Sequence, residues 1–234
     1  MRRARGTCYV CPVNIPVSSG LSDIEQALGA LPLFPLPQTV LFPGAHLPLH
    51  IFEPRYRAMV RDALETHRTL SVVLITDEKP IDEHGHPSIA QVAGVGVIVD
   101  HQELPGGKYN ILVRGRARVR LHELPFVPPY RRAAAEVLTP PQDDLSQADL
   151  SALVSSATAF TALVRERDRT FDFRLPRDAP PGLLADLCAF HLVLDARERQ
   201  AILETLDPRA RARRVAEVLA MQRLTLAPGE RDIN

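Results

Sequence analysis

Prolines interrupt the segment from Leu31 to Phe52 too densely for a long helix or a central strand. They stand at positions 32, 35, 37, 43 and 48, among mostly apolar residues. Because proline has no backbone N–H, it breaks a helix and cannot donate to the central ladder of a sheet. We therefore predict short extended pieces at a sheet edge, joined by kinks, with a turn at Pro43–Gly44.

The residues after this segment predict a β-rich region with one helix. Pro54 suits the first helical position, and apolar residues follow with helical spacing at positions 56, 59, 60, 63 and 64. Runs rich in apolar residues predict strands over Leu70–Ile75, Val92–Val99 and Ala133–Leu138, with a loop over Asp77–Pro87.

Arginines alternate with apolar residues between positions 114 and 121. Tyr109–Val113 and Ala117–Leu121 flank Arg114-Gly115-Arg116, which predicts a hairpin with its turn at those three residues. Because neighbouring strand residues face opposite sides, we expect one side of this hairpin to be core and the other to be cationic.

The pattern becomes helical after a linker-like break at Thr139–Asp144. Apolar residues have helical spacing at positions 150, 153, 154, 157, 160 and 164, and again at 183, 187, 190 and 194. We predict a disordered leader over residues 1–20, a β subdomain over residues 21–139 and a helical subdomain over residues 140–234.

Composition limits the classes of partner. A chain of 234 residues with 45% hydrophobic content can bury a sizeable core, and its 28 basic and 28 acidic residues cancel. The chain therefore has no overall charge to attract nucleic acid or an anionic membrane. No apolar run is long enough to span a bilayer, and three cysteines make no even disulfide framework. We expect a cytoplasmic protein without a membrane partner.

Several segments resemble one family, the N-terminal substrate-recognition domain of Lon-type ATP-dependent proteases. Leu31-Pro-Leu-Phe-Pro-Leu-Pro and Val40-Leu-Phe-Pro-Gly are similar to its opening strands, and Gly94-Val-Gly-Val-Ile-Val and Tyr109–Val119 to later ones. Leu184-Ala-Asp-Leu-Cys-Ala-Phe-His is similar to one of its helices. These matches occur in a single order along the chain.

The resemblance implies an α+β fold. Its first part is a PUA-like β subdomain, a pseudo-barrel with one helix, and its second part is a small C-terminal helical bundle. The implied function is a stand-alone, non-catalytic module that recognises unfolded or damaged polypeptides, or a protein partner, in protein quality control. The resemblance implies no cofactor, and it leaves the oligomeric state open.

The motifs for Lon-type chemistry are missing from this sequence. Gly107-Lys108 is followed by Tyr109, and Gln102 stands where a Walker A loop needs its first glycine. No lysine follows Lys108 to serve as the lysine of a serine–lysine peptidase. We therefore expect neither ATP hydrolysis nor Lon-type proteolysis from these residues.

Metal and hydrolase sites are weak alternatives. Cys8 and Cys11 have zinc-ligand spacing but no second pair, and the histidines and carboxylates of Asp82–His86 are typical of any polar loop. The strained Gly-x-Ser-x-Gly turn of many hydrolases is absent. We predict no metal site and no catalytic residue.

Two surfaces remain as binding candidates. The proline-rich segment and the start of the following helix offer apolar and aromatic groups to an extended peptide. The candidate contacts are Phe34, Phe42, Leu47 and Phe52, and the candidate rim residues are Arg55 and Tyr56. Arginines of the predicted hairpin offer phosphate contacts in the alternative, an RNA-binding PUA-like protein: Arg114, Arg116, Arg118 and Arg120.

Overall fold

A computed structural model describes residues 21–80, 82–142, 145–176 and 178–226 of the chain. The predicted leader, with Cys8 and Cys11, lies outside the described residues. The described residues up to 142 contain seven strands and two helices: α1 (Ser22–Glu25), β1 (Leu31–Leu36), β2 (His46–Ile51), α2 (Pro54–Glu65), β3 (Thr69–Pro80), β4 (Pro87–Ile89), β5 (Val92–Leu104), β6 (Lys108–Glu123) and β7 (Arg132–Leu138). Four helices follow: α3 (Gln147–Arg167), α4 (Pro181–Leu192), α5 (Ala196–Glu204) and α6 (Pro208–Leu226).

Five of the strands close into a barrel in the order β1-β7-β6-β5-β3, because β1 also pairs with β3. The β1–β3 pairing is parallel, and the other barrel pairings are antiparallel. Strand β6 is long enough to have two partners along one edge: β2 pairs with its residues 109–114 and β7 with its residues 118–123. The short β4 adds to β3 outside the barrel.

The proline-rich segment forms the short extended pieces that its composition predicts, but only β2 lies at a sheet edge, because β1 pairs with both β3 and β7. It contains the short strands β1 and β2, with a turn at Pro43–Gly44 between them, where Gly44 has a φ of +78°. Helix α2 begins at Pro54, as predicted. The predicted loop over Asp77–Pro87 is shorter than expected, because β3 runs on to Pro80.

The predicted hairpin at Arg114-Gly115-Arg116 is wrong. These residues lie inside the continuous strand β6, and the real turn is at positions 105–107, between β5 and β6. Gly106 and Gly107 have φ values of +80° and +68°, which this tight turn requires and which other residues rarely adopt. Gly107 also donates to the carbonyl of Leu104 at 3.2 Å.

Gly115 serves close packing rather than a turn. A Cβ atom on Gly115 would lie 2.0 Å from the carbonyl oxygen of Phe42, and one on Gly94 would lie 1.9 Å from that of Leu41. The segment before β2 therefore lies directly on the bare backbone of β5 and β6. It is fixed there because Gly44 donates to the carbonyl of Gly115 at 2.9 Å.

The helices share a core with the barrel. Leu153, Ala157 and Phe160 lie on the buried side of α3, in one hydrophobic cluster with Phe42 of the proline-rich segment. Polar N-caps begin two of the helices: Ser146 accepts from the backbone of Asp149, and Asp195 accepts from that of Glu198. Strand and helix segments thus bury their apolar sides against each other.

Candidate peptide-binding groove

A groove opens where the ladder between β1 and β7 stops. Leu31 pairs with Ala133, and the N–H of Leu33 donates to the carbonyl of Arg131 at 3.0 Å. In this register the next hydrogen-bonded pair would join positions 35 and 129, two residues further along each chain. Both positions are proline and have no N–H, so the ladder cannot continue and a gap opens between the two segments.

The groove is a concave space of about 340 Å³. We call it the aromatic groove, because Phe34, Phe52, Tyr56 and Tyr130 are among its lining residues. Its walls come from the end of β1, the connection between β2 and α2, and residues 129–131. Its size is at the lower end of the usual range for ligand pockets, which suits a short segment of chain.

One wall is built from Phe34 and Tyr56. Their rings meet edge to face with centroids 4.5 Å apart, and the Arg55 guanidinium lies 4.6 Å from the centroid of the Tyr56 ring. Burial raises the pKa of Tyr56, so this ring stays neutral and apolar in character. Arg55 is also paired with Glu53 at 3.0 Å.

The opposite wall is held by Tyr130 and Arg131. The Tyr130 hydroxyl donates to the carboxylate of Asp62 on α2 at 2.8 Å. Burial, together with this hydrogen bond, raises the pKa of Tyr130 to about 12. Arg131 binds the Glu123 carboxylate, with one contact of 2.7 Å, and donates to the carbonyl of Pro87 at 2.9 Å. Both arginines at the groove therefore have acidic partners.

Phe52 differs from the other groove aromatics because its side chain is mostly in water. It is 59% exposed, and its ring stacks only loosely on that of His50, at 6.1 Å between centroids. Phe34, Tyr56 and Tyr130 are each less than 9% exposed. The groove therefore combines one exposed aromatic ring with three buried ones.

The groove brings together four of the six residues that the sequence proposed for peptide binding: Phe34, Phe52, Arg55 and Tyr56. Phe42 does not belong to it, because its side chain is fully buried in the core. Leu47 lies on β2, half-buried against the same core, and does not line the groove.

Sequence reasoning missed the wall formed by Pro129–Arg131. Pro128-Pro129-Tyr130 is a visible signal, because two prolines before an aromatic residue repeat the chemistry of the segment around Phe34. What the sequence does not show is that the chain folds back to place Tyr130 opposite Phe34, since that depends on the pairing of β7 with β1.

The expected cationic face of β6 does not form, which corrects the second binding candidate. Arg118 is buried and joins Asp186 on α4, and the Nε atom of Arg116 lies 2.8 Å from the carboxylate of Asp23. Arg114 is half-buried, and of the four only Arg120 is exposed. Residues of α1, α4 and α5 contact this strand face at Arg116 and Arg118, which the alternation predicted to be open.

The described residues also bear on metal binding, on thiol reactivity and on membrane spanning. Within residues 21–226, apart from the few that are not described, no group of three histidine, cysteine or acidic side chains is placed to hold a metal ion. Burial, and to a smaller extent the nearby Asp186 carboxylate, raises the pKa of the Cys188 thiol to about 12. The thiol therefore stays protonated and unreactive. Among the described helices none has both the length and the apolar character needed to cross a bilayer.

Comparison with known proteins identifies the family. A family model for the substrate-binding domain of ATP-dependent protease La (Lon) matches residues 30–221. The chain belongs to this family. The resemblance of its proline-rich and helical segments to the Lon N-terminal domain is thereby confirmed.

Two Lon proteases illustrate the relationship. The Lon protease of Roseiflexus castenholzii is 31% identical over 213 residues, which cover 89% of this chain and 26% of that protein. Lon protease 2 of Myxococcus xanthus is 29% identical over 211 residues, which cover 87% of this chain and 25% of that protein. The chain therefore spans about a quarter of the length of these Lon proteases.

Solved structures of Lon N-terminal domains share the fold. A Lon N-terminal domain protein from Xanthomonas campestris is 27% identical with a TM-score of 0.56, over 85% of this chain and 99% of that one. The N-terminal domain of the Mycobacterium avium complex Lon protease has a TM-score of 0.60 at 16% identity, over 82% of this chain and 98% of that one. The predicted α+β fold, a PUA-like barrel followed by helices, is confirmed.

Proposed function

We propose that this Lon-family chain is a non-catalytic recognition module of cytoplasmic protein quality control. It captures exposed apolar segments of unfolded or damaged polypeptides in the aromatic groove. Capture is reversible and involves no covalent step. The match to a substrate-binding family supports the recognition of protein chains. The lining of the aromatic groove supports this groove as the place where a chain binds.

The exposed ring of Phe52 is the observation that carries the proposal. An isolated chain gains little from holding a phenylalanine at 59% exposure. When a ligand covers the ring, burial of the remaining apolar surface contributes about 1–2 kcal/mol to binding. The paired arginines at the groove add specificity at the rim without creating a strong charge.

The test is a binding titration with a permanently unfolded, fluorescently labelled polypeptide, followed by anisotropy. Phe52→Ser should weaken binding by about tenfold. Met221→Ser is the matched control, because Met221 is an equally exposed apolar residue on α6, at 63%. The control should bind like the parent chain, and both variants should keep the parent's stability because both positions lie in water.

Either of two results would contradict the proposal. One is that the parent chain has no affinity for unfolded polypeptide. The other is that Phe52→Ser and Met221→Ser weaken binding equally, because binding would then follow total exposed apolar surface instead of the groove.

A further inference from the structure

The direction of the β1 backbone decides what the aromatic groove offers to a ligand. The N–H of Leu33 points to β7, where it meets the carbonyl of Arg131 at 3.0 Å. Backbone polar groups point to alternate sides along a strand, so those of Phe34 and Leu36 point to β3, the parallel partner of β1. By the same alternation the carbonyl of Pro35, a buried residue that lines the groove, points the other way, to the groove side of β1.

Pro35 therefore presents a carbonyl to the groove without an N–H beside it. The opposite wall has the same property, since Pro129 also has no N–H. The strongest donors nearby have acceptors already: the Tyr130 hydroxyl binds Asp62, and the Arg131 guanidinium binds Glu123 and the Pro87 carbonyl. At these two prolines the backbone of the groove accepts hydrogen bonds and donates none.

A ligand strand that joins a sheet needs both donors and acceptors from the edge that it meets. The groove has no N–H at positions 35 and 129, because both residues are proline. A ladder with an added strand would therefore be interrupted there, as the ladder between β1 and β7 is. The compatible ligand instead brings an N–H of its own to the Pro35 carbonyl.

We propose that the aromatic groove selects an apolar side chain flanked by a free backbone N–H, which donates to the carbonyl of Pro35. A segment with proline at that backbone position binds more weakly, because it has no proton to donate. This inference rests on the proposed function and adds its ligand class: extended apolar segments that are free of proline at one defined position.

The experiment starts from the tightest-binding ten-residue peptide of the unfolded polypeptide used above, with a fluorescent label. Each backbone amide in turn is replaced by an ester, which removes the N–H without adding bulk. One position should lose affinity by about fivefold, the effect of one net hydrogen bond. Proline at that position, which also lacks the N–H, should lose at least as much affinity as the ester, while esters near the peptide ends should bind like the parent peptide.

The acceptor can be observed directly by NMR. The carbonyl carbon of Pro35 is detected through the N–H of Leu36 in a three-dimensional HNCO spectrum. The parent peptide should move this resonance downfield, and the sensitive ester should move it less. The carbonyl of Leu33, detected through the N–H of Phe34, is the control, because it points to β7 and should change little.

The outcomes separate this inference from the proposed function. If the parent peptide binds and every ester binds equally well, the N–H contact is refuted and groove binding stands. If one ester is weak but the Pro35 carbonyl carbon does not respond, the acceptor is wrong. If no peptide of the unfolded polypeptide binds, both proposals fall together.

Discussion

Arg118 and Asp186 form a buried ion pair that joins strand β6 to helix α4. Two guanidinium nitrogens of Arg118 lie 3.0 and 2.5 Å from the two carboxylate oxygens, and the side chains are 3% and 4% exposed. The third nitrogen donates to the carbonyl of Leu203 at 2.8 Å. Arg211 of α6 shares the same carboxylate at 2.7 Å. One acidic group therefore holds two arginines at the junction of barrel and helices.

Asp186→Leu should destabilise the chain more than Arg118→Leu. Loss of the carboxylate leaves two buried guanidinium groups without their shared counter-charge, at a cost of about 3–5 kcal/mol. Loss of Arg118 leaves the Arg211–Asp186 contact in place. Urea denaturation measures both free energies of unfolding, and an equal loss in the two variants would contradict the shared-carboxylate account.

Gly94→Ala and Gly115→Ala should each cost about 3 kcal/mol or more in the free energy of unfolding. Their Cβ atoms would lie 1.9 and 2.0 Å from backbone carbonyl oxygens, so the segment around Phe42 must shift. Gly29→Ala is the control, because nothing lies within 4 Å of its Cβ position and its φ is not positive. Thermal or urea unfolding of the three variants checks this order.

Tyr130→Phe should flatten the alkaline side of the stability profile. Folding raises the pKa of Tyr130 from 10.0 to about 12, so its contribution is complete below pH 10. Between pH 10 and 12 the unfolded chain loses the proton while the folded chain keeps it, and stability falls as pH rises. The variant lacks this loss. Urea midpoints across this pH window should converge for the two proteins, and parallel curves would argue against the assignment.

Binding of an unfolded polypeptide should change little between low and physiological salt. The groove arginines Arg55 and Arg131 are paired with Glu53 and Glu123, so few counterions are released when a ligand binds. RNA binding would instead weaken steeply with salt. Anisotropy titrations with labelled polypeptide and labelled single-stranded RNA distinguish the two. Tight, salt-sensitive RNA binding that Arg120→Ala weakens would favour the alternative function.

Local chemistry was enough to predict part of the fold. The prolines between Leu31 and Phe52 predict short extended pieces, and Pro54 with its apolar spacing predicts helix α2, because both effects depend on neighbouring residues alone. The edge position holds for β2 but not for β1, which has a partner on each side. The same reasoning located Phe34, Phe52, Arg55 and Tyr56, which are close in sequence and also meet in the groove.

The errors concern contacts between distant residues. Alternation placed Arg118 and Arg120 on one side of a strand, yet helices cover Arg118 and leave Arg120 exposed. A period of two residues gives the side of a strand but not what packs on it. Gly115 between two arginines looked like a turn, because the carbonyl of Phe42 that requires its missing side chain lies far away in the sequence.

The prolines at positions 35 and 129 also make the groove tolerant of mutation. A hydrogen-bonded pair in an antiparallel ladder exchanges two bonds, one from each residue. A single substitution at either proline can restore only one of them, so both prolines must be replaced before a complete hydrogen-bonded pair can form past Leu33. The interruption of the ladder is therefore encoded twice, since a change that removes one proline still leaves the pair one hydrogen bond short.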